Sequence, residues 1–227
     1  MTEGLDLSGV GVRLHGRRLF APLSLTVAPG QVATVMGPSG TGKSTLLALI
    51  CGALDPAFQA EGRVLLDGRD LAGLPTEARQ IGILFQEPLL FPHLSVAGNL
   101  AFGLPPTLRG RQARAARVRE ALAAADLSGF ERRDPATLSG GQRARIAVLR
   151  TLLSEPRALL LDEPFAGLDA AARGRFREIV FDAVRRRALP TLLVTHDGSD
   201  AAAAGGPVVH LEPVAAEGPN GSGKSPL

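Results

Sequence analysis

Apolar and polar positions alternate in short runs between residues 5 and 36. LDLSGVGVRLHG, LSLTV and, after the turn APG, QVATVM each predict an extended strand. The last of these runs into a glycine-rich loop and then into TLLALICGAL, an apolar stretch that predicts a buried helix. GRVLLDGRDL (62–71) predicts a hairpin turning at Asp67-Gly68, and IGILF (81–85) a buried strand. From about residue 92 to 153 helical patterns dominate, broken at Pro105-Pro106, at Gly110 and at Ser139-Gly140-Gly141. Two more apolar runs follow, ALLLDE and TLLVTHD, with the helical pattern ARGRFREIVFDAVRRRAL between them. Strand, crossover helix, strand predicts an α/β fold with a parallel sheet covered on both faces. The helical stretch that interrupts this alternation, about 89–154, reads as an inserted subdomain.

Composition narrows the picture. With 227 residues and 45% apolar content the chain is large enough for a buried core, and one domain over 1–215 accommodates every predicted element. The N-terminus lacks the basic and apolar regions of a signal peptide, and no run approaches the roughly 18 apolar residues a membrane helix needs, so a cytoplasmic protein is expected. Cys51 has no partner for a disulfide and lies in an apolar run, which predicts core packing. The formal net charge is +3, and arginine supplies nearly all the positive charge, because lysine occurs only at 43 and 224. Both lysines sit in a G-x-x-x-x-G-K-S pattern, where a compact ammonium suits crowded phosphates better than a planar guanidinium. The most basic stretch, RGRQARAARVREAL (109–122), predicts a helix with Val118 and Leu122 on its apolar face. Its arginines read as a solvated face, with a nucleic-acid or lipid-headgroup patch as the alternative.

The loop GPSGTGKST has the context that turns a pattern into chemistry, a strand before it and a helix after it. Gly37, Pro38, Ser39, Gly40, Thr41, Gly42, Lys43, Ser44 and Thr45 can form a nest of backbone N–H groups around an anion, at a helix N-terminus. There Lys43 would neutralise the β and γ phosphates and Ser44 would ligate Mg²⁺. In GPNGSGKSPL the residues Gly218, Gly223, Lys224 and Ser225 repeat the pattern, but only Pro226 and Leu227 follow Ser225. No helix can form behind that loop, so 216–227 reads as a disordered tail carrying a decoy, the remnant of an adjoining nucleotide-binding domain or an artefact. ALLLDEP (158–164) is an apolar strand ending in two acids. Asp162 is placed to hold the Mg²⁺ of a bound nucleotide, and Glu163 to polarise the attacking water as general base.

With LSGGQ (138–142) the chain resembles the ATPases of ABC transporters, and the order of the other motifs agrees: glycine loop, Gln86 after a strand, LSGGQ, ALLLDEP, AGLD (166–169) and His196. The resemblance spans about 5–214 and implies a P-loop NTPase, a RecA-like core with an antiparallel β arm and the helical insert. It implies that Ser139, Gly140, Gly141 and Gln142, with Asp169, face the γ-phosphate of ATP held by a second copy in a head-to-tail dimer. It implies too that His196 contacts the γ-phosphate, and that Gln86 reaches Mg²⁺ and the attacking water and begins the loop that meets a membrane partner. LFQEPLLFPHLSVAGNLAFGL (84–104) resembles importer subunits of the thiamine, iron and polyamine type, and other stretches the small YnjD-like ATPases. A separate permease and a substrate-binding protein are then the expected partners, with no direct nucleic-acid contact, and the place of action is the inner face of the cell membrane. About thirty residues after His196 leave no room for the regulatory domain many importer ATPases carry. His93 and His210 have no such context and read as surface or packing residues.

Two positions depart from the family. His15 stands where an aromatic, often Tyr, stacks on adenine, in a chain without Tyr or Trp, so weaker or less base-selective binding is expected. Ala166 replaces the usual Ser of the AGLD loop, from which altered coupling between the paired sites is expected. The alternative reading is a soluble ABC ATPase of translation or DNA repair, of which this chain would be a fragment; a small-molecule kinase would leave LSGGQ and His196 unexplained.

Overall fold

The computed structural model describes residues 3–214, and the second glycine-lysine pattern, Gly218 to Ser225, lies outside the described residues. The chain opens with β1 (Leu5–Leu14), β2 (Arg17–Arg18) and β3 (Leu23–Val27), then β4 (Val32–Met36), the glycine loop and α1 (Lys43–Cys51). β5 (Phe58–Leu66), β6 (Arg69–Asp70), α2 (Thr76–Arg79) and β7 (Ile81–Leu84) lead into α3 (Val96–Gly103), α4 (Arg111–Ala124) and α5 (Gly140–Leu153). β8 (Ala158–Asp162), α6 (Ala170–Arg186), β9 (Thr191–Val194), α7 (Gly198–Ala204) and β10 (Val208–His210) complete it.

These strands form two sheets. β1 pairs antiparallel with β2, β3 and β5, and β5 with β6, as an arm. The core sheet has the order β10-β4-β9-β8-β7, and all its pairs are parallel. β4, β8 and β9 are buried almost throughout, as expected of strands covered on both faces. One face packs with α1 against the arm, through Leu46, Leu47 and Ile50 of the helix. The other face packs on Phe176, Val180 and Val184 of α6. A third apolar cluster joins α3, α4 and α5 through Leu100, Val118, Leu122 and Ile146. Helix α5 belongs to both, because Ala147 and Val148 pack on the sheet side while Ile146 and Leu153 pack among the helices.

Parallel register then aligns the strand ends. Val35 of β4 is opposite Val194 of β9, which is opposite Asp162 of β8, and Leu84 of β7 is opposite Leu161. One or two residues further on stand Gly37, His196, Glu163 and Gln86, in a row along the carboxyl edge where α/β sheets bind ligands.

The structure differs from the sequence reading in several places, among them the short helices α2 and α7, which the patterns did not predict. The apolar run TLLALICGAL does not stay helical to Leu54: Gly52 caps α1 in the left-handed region at φ 86°, and Arg79 donates to the carbonyls of Leu49 and Ile50. Strand β5 starts at Phe58, four residues before the predicted hairpin. β10, unforeseen, adds an edge strand beside β4. Cys51 is buried in the core as expected, and burial pushes its thiol pKa up.

Candidate active site

The glycine loop is shaped by its own backbone. Gly40 and Gly42 adopt φ 81° and 89°, left-handed values that favour glycine. A β-carbon on Gly42 would in addition lie 3.0 Å from the ring of Phe20, which is fully buried beneath the loop. Thr41 ties the loop together, its hydroxyl donating to the Pro38 carbonyl at 2.9 Å. No side chain caps the N-terminus of α1, so its first amides stay available to an anion. Lys43 is 7% exposed, and its ammonium donates to the Gly37 and Pro38 carbonyls at 2.8 Å each. The chain thus holds a buried cation against the loop that would cradle phosphate.

The acids stand beside it. Burial raises the pKa of Asp162, and the neighbouring Glu163 adds to this, while the Ser44 hydroxyl and the Lys43 charge act against it. A half-buried carboxylate beside a hydroxyl is a donor set suited to Mg²⁺, which takes one or two protein ligands and completes its shell with phosphate and water. Among the described residues no group of three or more His, Cys, Asp or Glu is arranged to hold a metal ion by itself. Glu163 takes the left-handed φ of 45° and its N–H donates to the Val194 carbonyl, turning its side chain out of the strand direction. Its carboxylate lies 3.2 Å from Nδ1 of His196. Residues 33 positions apart are thereby in direct contact.

The remaining expected residues are distributed differently. Gln86 lies exposed just past β7, in a narrow crevice with Pro164 and Ala144. It makes no side-chain hydrogen bond to the loop or the acids among the described residues. His15 occupies the exposed turn between β1 and β2 at φ 49°, five residues before Phe20, which packs under the loop. Ser139 is the N-cap of α5 and forms a reciprocal capping box with Gln142. Ser139, Gly140, Gly141 and Gln142 share a crevice of about 400 Å³ with Gly167, Asp169, Arg145 and Arg175. The Asp169 carboxylate accepts from the Ala172 N–H and caps α6. No residue of the glycine loop lines this crevice. Within one chain, the LSGGQ crevice is thus built without the phosphate loop. His93 and His210 are both exposed.

Sequence reasoning missed Arg173 and Asn99. Arg173 Nε donates to the Phe165 carbonyl at 3.2 Å and its guanidinium pairs with Asp197. It thereby joins the segment after Glu163 to the residue after His196. Ser199 hydrogen bonds and Arg173 hold the Asp197 pKa at about 2. Burial raises that of nearby Asp200, which accepts from Thr195 and faces Arg177. Arg173→Ala is expected to lower kcat for ATP hydrolysis at least tenfold with a smaller change in KM, because sub-ångström misplacement of reacting groups costs rate before binding. Arg173→Lys should recover part of kcat; equal loss in both variants tracking only a fall in Tm would reduce Arg173 to a packing role. Asn99 is fully buried, and its amide bonds to Phe91 and to the Leu94 and Ser95 carbonyls, setting the turn beyond Gln86. A lone amide in the apolar helix AGNLAF was the available signal.

Residues 20–166 match the family described as ABC transporter, and the chain belongs to that family. It is an ATP-binding subunit with the P-loop NTPase fold, and an ATPase of the transport type. Among its relatives is the uncharacterized ABC transporter ATP-binding protein YnjD of Escherichia coli, 50% identical over 196 residues, 86% of this chain and 90% of the relative. An Fe(3+) ions import ATP-binding protein, FbpC of Streptomyces coelicolor, is 45% identical over 87% of this chain and 56% of its own length. The taurine import ATP-binding protein TauB of Pseudomonas fluorescens is 44% identical over 81% of this chain and 67% of its own. This chain thus spans little more than half of the iron-import relative.

Proposed function

We propose that this chain is the ATP-hydrolysing subunit of an importer, acting on a separate permease and receiving substrate from a binding protein. The observation that carries the mechanism is the convergence of Lys43, Asp162, Glu163 and His196 at one sheet edge, with Ser139 and Asp169 on another surface. Two copies arranged head to tail would close each glycine loop with the other's LSGGQ. Import relatives support the transporter reading over the soluble ABC ATPase. Among the described residues no helix is long and apolar enough to cross a membrane, which fits a subunit held peripherally at the inner face of the membrane by its permease.

In this reading the loop from Gly37 to Thr45 and the N-terminus of α1 bind the phosphates, and Lys43 shifts from its loop carbonyls to the β and γ oxygens. Ser44, Asp162 and Gln86 would hold Mg²⁺, which spreads the charge of the phosphates when bound. Glu163 orients a water in line with the γ-phosphate and takes its proton. The new P–O bond forms as the bond to the β-phosphate oxygen breaks, leaving ADP and phosphate. His196, held by Glu163, contacts the γ-phosphate. His15 covers the base; His15→Ala should weaken ATP binding about threefold in a direct titration and His15→Tyr should strengthen it, since a ring stack contributes about 0.5–1.5 kcal/mol. An affinity unchanged by both substitutions would remove His15 from the site.

The reading is tested by co-purification with the permease encoded nearest to it, followed by ATPase assays of the assembled complex. Activity that rises on assembly and vanishes in Glu163→Gln supports it. A chain that binds no permease but hydrolyses ATP in response to ribosomes or nucleic acid keeps the ATPase chemistry and loses the transport role.

A further inference from the structure

The turn that carries His15 is short and strained. β1 and β2 meet through only two residue pairs, Arg13 with Arg18 and Leu14 with Arg17, so His15 and Gly16 are the central residues of a tight hairpin. Their φ values of 49° and 78° are both left-handed, as a type I′ turn requires. Glycine adopts this region freely, whereas histidine occupies it at a cost in backbone strain. Both residues of β2 and His15 itself are exposed, so burial does not fix the turn.

Glu61 supplies the tie. It lies in β5, on the far side of β1 from β2, opposite Gly11. Gly11 offers no side chain to block it, and a β-carbon there would stand 3.4 Å from Oε2 of Glu61. The Glu61 carboxylate therefore reaches across β1. Its Oε1 accepts from Arg13 Nε at 2.5 Å and its Oε2 from Arg18 Nε at 2.8 Å. Arg13 also donates to the Gly16 carbonyl at 2.9 Å. One carboxylate thus joins both strands of the hairpin, on either side of His15, to the body of the arm. Hydrogen bonds from Arg18 and Arg13 hold its carboxyl pKa below the ordinary value. A lone exposed ion pair contributes little, but a carboxylate shared by two guanidinium groups fixes geometry. Beyond Arg18, the Leu19 N–H donates to the Val12 carbonyl and Phe20 enters beneath the glycine loop. In the chain, the clamped Arg18 stands between His15 and the ring packed under the phosphate cradle.

We infer that Glu61 is a positioning residue for nucleotide, whose pairing with Arg13 and Arg18 holds the His15 turn in the conformation that covers the base. The inference rests on the reading above that His15 covers the base. Glu61 would act on nucleotide through that turn and not on the phosphates.

Direct titration of the full chain with ATP and with inorganic tripolyphosphate, which has no base, tests this. Glu61→Gln should weaken ATP binding about twofold to threefold, because it can lose no more than the roughly threefold expected of His15→Ala. Tripolyphosphate binding should stay at the wild-type level. Arg18→Ala should reproduce this pattern. In the His15→Ala background Glu61→Gln should weaken ATP binding no further, since groups acting through one contact are not additive. Arg157→Ala, which removes the arm's ion pair with Asp67, should leave ATP affinity unchanged. The proposal is overturned if Glu61→Gln or Arg18→Ala keeps full ATP affinity, if either weakens tripolyphosphate as much as ATP, if the Glu61→Gln and His15→Ala losses multiply, or if Arg157→Ala is as damaging. The two readings separate on the single variants. A loss in His15→Ala without one in Glu61→Gln removes Glu61 alone, whereas no loss in His15→Ala removes the base contact and the proposal with it.

Discussion

Glu163→Gln is expected to reduce kcat for ATP hydrolysis by roughly 10²–10⁴, the usual contribution of a positioned general base, while ATP affinity changes little. The amide keeps the size and shape of the carboxylate at the end of β8, so the left-handed backbone at φ 45° and its bond to the Val194 carbonyl are undisturbed. What it loses is the capacity to take a proton from water and the negative charge 3.2 Å from His196. Because closure of two copies on ATP precedes the chemistry in the proposed cycle, the variant should also accumulate as an ATP-dependent dimer. Single-turnover kinetics and size-exclusion with and without ATP read the two effects separately. Wild-type turnover in Glu163→Gln would transfer the base role to another group.

Lys43→Ala is expected to weaken ATP binding about tenfold to a hundredfold and to abolish measurable turnover, since a hydrogen bond to a charged group contributes about 1.5–3 kcal/mol. The ammonium is nearly buried and bonded to the Gly37 and Pro38 carbonyls, so its removal strips the loop of both its counter-charge and a brace. Lys43→Arg is the sharper test. In this chain arginine serves as the cation at every other position within the described residues. If charge alone mattered, arginine would substitute; if a compact donor threaded under the loop is required, Lys43→Arg should fail nearly as badly as alanine. Nucleotide titration with thermal melting of both variants distinguishes a binding defect from unfolding. Near-normal hydrolysis by Lys43→Arg would refute the argument from lysine scarcity.

The sequence by itself determined where most of the elements and the phosphate loop lie, because those signals are local. Glycines in a left-handed loop, a lysine where every neighbouring cation is arginine, period-two strands and two apolar runs ending in acids or histidine are each written within a few residues. LSGGQ and its order relative to the other motifs carried the family in the same way. The tertiary structure decided the rest, because the rest depends on which distant segments pair. Parallel register sets Gly37, Glu163, His196 and Gln86 abreast, and nothing local to Glu163 announces a contact with His196. Arg79 ends α1 earlier than its apolar run suggests, and Arg173 and Asn99 gain their meaning from carbonyls and carboxylates that packing delivers. The separation of the phosphate loop from the crevice at Ser139 is of the same kind: both motifs are legible as strings, but only the folded chain holds them on different surfaces. Local propensity and periodicity fix backbone conformation residue by residue, whereas side-chain partners are chosen by long-range packing and hydrogen-bond register.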